Sequence, residues 1–135
     1  MKRIIPLLLA LFFLKSCSTT NDNGFFFEIS PVESVTIPSE FISGKAYDLT
    51  ISYLKPSTCY AFYDFYYLEE SNEVIIAPIN YVFERNDCEA LDNKIVEVDL
   101  NFIVTNNGPY IFKFWQGEDN NGESQFLTIE VPVVE

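Results

Sequence analysis

Three cysteines, two acidic clusters and one crowded aromatic stretch are the parts of this 135-residue chain whose chemistry could go beyond packing. The cysteines stand at 17, 59 and 88, an odd number, and the chain has no histidine. None of them lies in a C-x-x-C spacing, so the usual zinc ligand sets are missing. Without histidine the commonest general base is also absent. Glu69-Glu70 offers two carboxylates, but neighbours in a polar turn point apart, and a solvated loop is the expected role. Glu118-Asp119-Asn120-Asn121-Gly122-Glu123 is rich in oxygens that suit Ca²⁺, yet lacks the spacing of an EF-hand loop and reads as the tip of a hairpin. No nucleophile elbow, phosphate-cradling glycine loop or dinucleotide fingerprint occurs. These residues predict no catalytic site, no metal and no cofactor.

The aromatic stretch is the most unusual feature. Tyr60-Ala61-Phe62-Tyr63-Asp64-Phe65-Tyr66-Tyr67 carries rings on both sides of any extended strand. Strict alternation puts Tyr60, Phe62 and Tyr66 on one face and Ala61, Tyr63, Phe65 and Tyr67 on the other. One face must point to the core. The other is a candidate platform for a glycan or a protein partner. Trp115, the single tryptophan, alternates with Phe114 and is a candidate member of the same platform. The competing reading is cross-strand aromatic packing that only stabilises the sheet.

The elements that position these residues begin with an export signal. Lys2 and Arg3 precede the apolar run Ile4–Leu14, which is too short to span a bilayer and fits a signal peptide. Leu14-Lys15-Ser16-Cys17 resembles the lipobox of bacterial lipoproteins, with a large apolar residue at −3, a small one at −1 and Cys at +1. Lys15 departs from the small residue usual at −2. The resemblance implies cleavage before Cys17, lipid on its thiol and on the new amine, and a membrane partner held through that lipid. Several acyl chains together give an anchor that one chain alone does not. The implied location is the bacterial cell envelope at the outer membrane, with the periplasmic and external faces both open. Residues 1–16 are then the signal, 17–24 the lipidated Cys and a tether, and 25–135 one domain. With Cys17 used for lipid, Cys59 and Cys88 remain as a pair in an oxidising compartment, which predicts a disulfide. A metal site or a reactive thiol is the alternative.

Removing residues 1–16 takes away three of eight basic residues and leaves five against twenty acidic, a net charge of −15. Such a chain repels nucleic acid and anionic headgroups, so no nucleic-acid partner is expected. The rest of the sequence shows period two and no sustained helical period. Tyr47-Leu49-Ile51-Tyr53, Val96-Val98-Leu100-Phe102-Val104 and Tyr110-Phe112-Phe114 are apolar faces of predicted strands, separated by turns such as Asn106–Pro109 and Asn120–Gly122. About seven short strands predict an all-β, two-sheet sandwich. Their order resembles an immunoglobulin-like domain, and Tyr110, after a Gly-Pro turn, is similar to its tyrosine corner. Phe112 stands where that family has its second Cys, and no Trp lies on the third strand. Architecture does not specify function. Two function classes follow: a non-catalytic binding or adhesion module, using the aromatic face or loops, and a structural accessory subunit of an envelope assembly or secretion complex, using a strand edge.

Overall fold

The computed structural model of the chain describes residues 24–135. The signal segment, Cys17 and the expected tether up to residue 23 lie outside the described residues. The described part is all-β and sandwich-like. One sheet contains β1 (Phe25–Ile29), β5 (Tyr60–Glu70), β6 (Glu73–Phe83), β8 (Tyr110–Glu118) and β9 (Ser124–Val131). The second contains β2 (Val32–Thr36), β4 (Ala46–Leu54) and β7 (Ile95–Ile103). Two short segments, β3 (Phe41–Ile42) and β10 (Val133–Val134), pair in parallel. Among the described residues there are ten strand segments where about seven were expected, in part because the two-residue pairings of β3 and β10 are invisible to periodicity.

Alternation builds the core. Leu49 and Ile51 on β4, Val74 and Ile76 on β6, and Tyr110, Phe112 and Phe114 on β8 join one buried cluster with Phe41, Phe102 and Val131. Burying a side chain of this size contributes about 1.5–3 kcal/mol. Tyr110 opens β8, and its buried hydroxyl accepts the backbone N–H groups of Thr105 and Asn106 at 3.0 and 2.8 Å. That is the hydrogen bonding expected of a tyrosine corner. A polar bridge also crosses the core. The Tyr53 hydroxyl on β4 donates to Asn80 Oδ1 on β6 at 2.8 Å, and Asn80 Nδ2 donates to Ser30 Oγ at 2.7 Å. All three side chains are buried. Burial holds the Tyr53 phenol above its ordinary pKa.

Cys59 and Cys88 are disulfide-bonded, with Cα atoms 5.5 Å apart. The bond joins the start of β5 to the loop after β6, so it staples one ribbon rather than linking the sheets. In the chain-entropy account, closing a loop of this length stabilises the fold by about 3–4 kcal/mol.

The structure differs from the sequence expectation around β6 and at the end of β5. An immunoglobulin-like order makes β5 and β8 neighbours, but here β6 lies between them. Along Glu73–Ile76 β6 pairs with β8 in parallel, and along Ile79–Phe83 it pairs antiparallel with β1. The crossover a parallel pair needs is supplied by β7, which lies in the other sheet. Proline suits edge strands and bulges because it lacks an N–H, yet β6, which holds Pro78, is central. The Pro78 carbonyl accepts from Ser30 N at 2.9 Å, on the flank where β1 and β8 sit. A residue's N–H and C=O point to the same flank of a strand, so the missing donor falls in the seam where β8 gives way to β1. Finally, Glu69 and Glu70 lie on β5 rather than in a loop, and the turn is Ser71-Asn72, with Ser71 at φ 57°.

Candidate functional site

The core face of the larger sheet is set by Val74, Ile76, Phe112 and Phe114, so its outer face follows from register. On β6 that face carries Ile75, Ala77, Ile79, Tyr81 and Phe83. Phe25, Phe27 and Ile29 lie opposite Phe83, Tyr81 and Ile79 and share it. β8 adds Ile111, Lys113 and Trp115. β5 adds Tyr66, opposite Ala77, and Leu68, opposite Ile75.

The aromatic strand β5 does not alternate throughout. Phe62 pairs with Asn80 and Asp64 with Ile79, so Tyr63 is an extra residue in a bulge. The bulge moves every later side chain to the other face. Tyr60 and Phe62, paired with Val82 and Asn80, lie on the core side of the sheet, whereas Tyr66 lies outside. The expected single face of Tyr60, Phe62 and Tyr66 is therefore split. The Tyr60 hydroxyl donates to Glu28 Oε2 at 2.8 Å, and its pKa is raised by burial and by that carboxylate. Phe62 packs on Phe65, with ring centres 5.0 Å apart.

Tyr66 and Trp115 are brought together nonetheless. They wall a shallow cleft of about 250 Å³ over the β1–β8 seam. Its floor is Ile75 and Ala77, small enough at 77 to leave a depression; Ile29 closes one end, and Ser124 and Phe126 of β9 complete the rim. A second bulge shapes the Trp115 wall. Trp115 pairs with Phe126 and Glu118 with Ser124, so Gln116 and Gly117 oppose one residue of β9. Gly117 has φ 95°; a Cβ there would lie in ordinary contact 3.6 Å from Pro31 Cγ, so it is the backbone shape rather than space that calls for glycine. Trp115 Nε1 donates to Ser124 Oγ at 3.2 Å, which fixes the indole across the cleft. Beyond Trp115 and Ile29 lies a more open hollow of about 620 Å³, edged by Glu28, Gln116 and Glu118.

A ring ladder extends this face toward Gly24. Phe27 contacts Tyr63 and Tyr81 with ring centres 4.6 and 5.2 Å apart, Phe25 contacts Tyr81 at 5.1 Å, and Arg85 lies 5.1 Å above Phe83. Phe27, Tyr63 and Tyr66 are 51, 48 and 46% exposed, so the face is ring-rich without being covered. Sequence reasoning missed Phe27, Ile29, Tyr81 and Phe126. The alternations Phe25-Phe27-Ile29 and Tyr81-Phe83 were available signals, because Glu28 and Asn80 mark the opposite face.

The remaining candidates have local roles. Asp119 Oδ1 accepts from the N–H groups of Asn121 and Glu123 at 2.8 and 3.0 Å, capping the β8–β9 turn. Glu69 Oε2 accepts from the Tyr67 hydroxyl at 2.7 Å; burial first, then this carboxylate, raises the Tyr67 pKa. Lys113 pairs with Glu73 at 2.8 Å on the surface, a contact of small energetic value. Among the described residues, no group of three or more acidic or cysteine side chains is gathered as a metal cluster. Compared with known protein families, with characterised proteins and with solved structures, the chain has no match.

Proposed function

We propose that this chain is an envelope lipoprotein, anchored through Cys17, whose immunoglobulin-like sandwich is a non-catalytic binding module. The observation that carries the reading is the outer face of the larger sheet, where Tyr66 and Trp115 wall a cleft continuous with the Phe27–Tyr63–Tyr81 ladder. Exposed apolar faces of this kind mark interaction sites or become aggregation liabilities. Bulges are common beside functional sites, where they re-aim side chains, and here one bulge turns Tyr66 outward and another shapes the Trp115 wall. The tyrosine corner supports the immunoglobulin-like reading, and the parallel β6–β8 pairing is the point at which the order departs from it. The disulfide fits an oxidising compartment.

Two experiments test the proposal. Cys17→Ser should move the protein from the membrane to the soluble fraction, and a wild-type protein found soluble with a free Cys17 refutes the anchor. Benzoylphenylalanine placed at Tyr66 should give a discrete photo-adduct in intact cells, while the same group at Glu97, on the exposed side of β7, should not. No adduct at Tyr66, or equal adducts at both, refutes the binding face. The accessory-subunit reading keeps one observation in its favour: among the described residues β5 pairs only with β6, leaving an eleven-residue strand with a free edge. Free edges accept added strands. Benzoylphenylalanine at Tyr67, on the other side of that edge, captures such a partner instead.

A further inference from the structure

The ring ladder coincides with the N-terminal end of the domain. Phe25, the first residue of β1, meets Phe27, Tyr81 and Phe83 edge-on, with ring centres 5.5, 5.1 and 6.3 Å apart. Phe27 and Tyr81 meet Tyr63 at 4.6 and 4.8 Å. All five rings therefore share the outer face of the larger sheet, with the Arg85 guanidinium over Phe83 at their edge. Asp64, opposite Ile79, bounds the ladder on that face, and its Oδ1 accepts from Phe65 N at 2.8 Å.

The loops at this end are nearly balanced in charge although the chain is not. Lys55, Arg85 and Lys94 are three of the five basic residues after position 16. They lie with Glu84, Asp87, Glu89 and Asp92 in the turn before β5 and the loop after β6. The two segments are tied together: Lys55 N donates to the Lys94 carbonyl at 2.8 Å, and Thr58 N to that of Glu89 at 3.0 Å. Headgroups that repel the acidic chain as a whole repel this end little. Gly24 is seven residues after Cys17, so lipid on that thiol holds the start of the ladder within about 25 Å of the membrane. A tether this short gives an effective concentration in the millimolar range, where a weak apolar contact suffices. Tyrosine and arginine suit the headgroup layer, each with an apolar body and a polar tip. Rings standing one side chain above a sheet match the depth of about 5–10 Å to which interfacial segments enter. A protein partner would call for no such nearness to the anchor.

We propose that the ladder is a membrane seat: with Cys17 in the bilayer, Phe27 and Tyr63 enter the interface of a zwitterionic lipid layer, and Arg85 meets its phosphates. The inference rests on the Cys17 anchor and supplies an orientation that an anchor alone leaves open. Ala77, in the cleft floor, is four residues along β6 from Tyr81, about 13 Å, so a domain tilted onto its ladder keeps the cleft on the water side.

The test uses the chain purified from membranes with the lipid it carries, reconstituted in phosphatidylcholine–phosphatidylethanolamine vesicles brominated near the headgroup end of the acyl chains. The single indole is moved. Trp115→Phe removes it, and Phe27→Trp or Tyr63→Trp returns it to the ladder. Ile95→Trp and Ile103→Trp are the controls, at positions 54 and 59% exposed on the other sheet, one at each end of β7. Bromolipid should quench both ladder probes about two-fold or more and both controls by less than about 1.2-fold. The ladder quenching should persist in about 0.5 M salt, because an apolar contact outlasts screening. Equal quenching at position 27 and at either control, or none at either ladder position, overturns the seat, while a chain still bound to the vesicles keeps the anchor. A chain that leaves the vesicles with a free Cys17 refutes the anchor, and the seat with it. Benzoylphenylalanine at Phe27 that captures a discrete protein in intact cells, in place of phospholipid, assigns the ladder to that partner and also overturns the seat.

Discussion

Asn80 is the residue on which the two sheets depend most directly for polar contact. It is fully buried, accepts from Tyr53 of the opposite sheet and donates to Ser30 at the β1–β2 corner. Asn80→Ala removes both hydrogen bonds, each worth about 1 kcal/mol net, and leaves two buried hydroxyls without their partner, at about 1–3 kcal/mol each where water cannot reach. Partial relaxation brings the expected loss to about 3 kcal/mol. Tyr53→Phe removes one donor and strands only Asn80 Oδ1, so about 1–2 kcal/mol is expected. Because the two share a bond, the double variant should lose at least about 1 kcal/mol less than the sum. Urea unfolding, followed by Trp115 emission and circular dichroism at neutral pH, measures this. With a slope of about 1.5 kcal/mol/M, the Asn80→Ala midpoint falls by about 2 M. A loss below about 1 kcal/mol, or strict additivity with Tyr53→Phe, would show that the bridge does not tie the sheets and that the core tolerates these groups for another reason.

Further outcomes follow from the same geometry. Tyr110→Phe removes the acceptor of two backbone N–H groups and should cost about 2 kcal/mol in the same urea assay, since both are only part-buried. Gly117→Ala, at φ 95°, should cost about 1–2 kcal/mol and disturb the Trp115 emission maximum, whereas Gly108→Ala, with open space around it, should be nearly silent. Protein taken from an oxidising compartment should show no free thiol at Cys59 or Cys88 on denaturation without reductant, and reduction should lower stability by about 3 kcal/mol. Tyr53, Tyr60 and Tyr67 all have raised pKa values with burial as the first cause. The unfolded chain therefore loses its phenolic protons first as pH rises. Stability should be fully present below about pH 10 and decline above it. Tyr67→Phe should flatten that decline in unfolding midpoints taken from pH 8 upward, and an unchanged slope counts against the assignment.

How much was readable depends on whether local spacing carries the information. The inward faces of β4, β7 and β8 could be read because Leu49, Ile51 and Phe102, like Phe112 and Phe114, repeat at the period of an unbroken strand. Tyr110 was readable because its turn and the backbone N–H groups that donate to its hydroxyl are within five residues. The aromatic face was half legible. Its existence follows from ring content, but its membership turned on the extra residue Tyr63, and Phe62-Tyr63-Asp64 carries no glycine or proline to announce a bulge. The pairing of β6 with both β1 and β8 was not readable at all, because it is decided by packing between residues dozens of positions apart. Pro78 pointed at the irregularity without revealing that a central strand can hold it in a seam. Asn80, polar in an apolar strand, was a sign of the buried bridge that alternation alone passes over.

The placement of β1 has a mechanical consequence. The strand begins one residue after Gly24, and among the described residues its one ladder runs along β6 from Phe25–Phe83 to Ile29–Ile79. Tension arriving at Gly24 along the strand axis loads those five pairs together in shear. Tension arriving across the axis parts them one at a time, beginning with Phe25 and Phe83. Ile29, at the last pair, is also the end wall of the Trp115 cleft. A pull on the N-terminal side that peels β1 as far as Ile29 opens that wall, so the shape of the cleft and the load on the leading strand are linked.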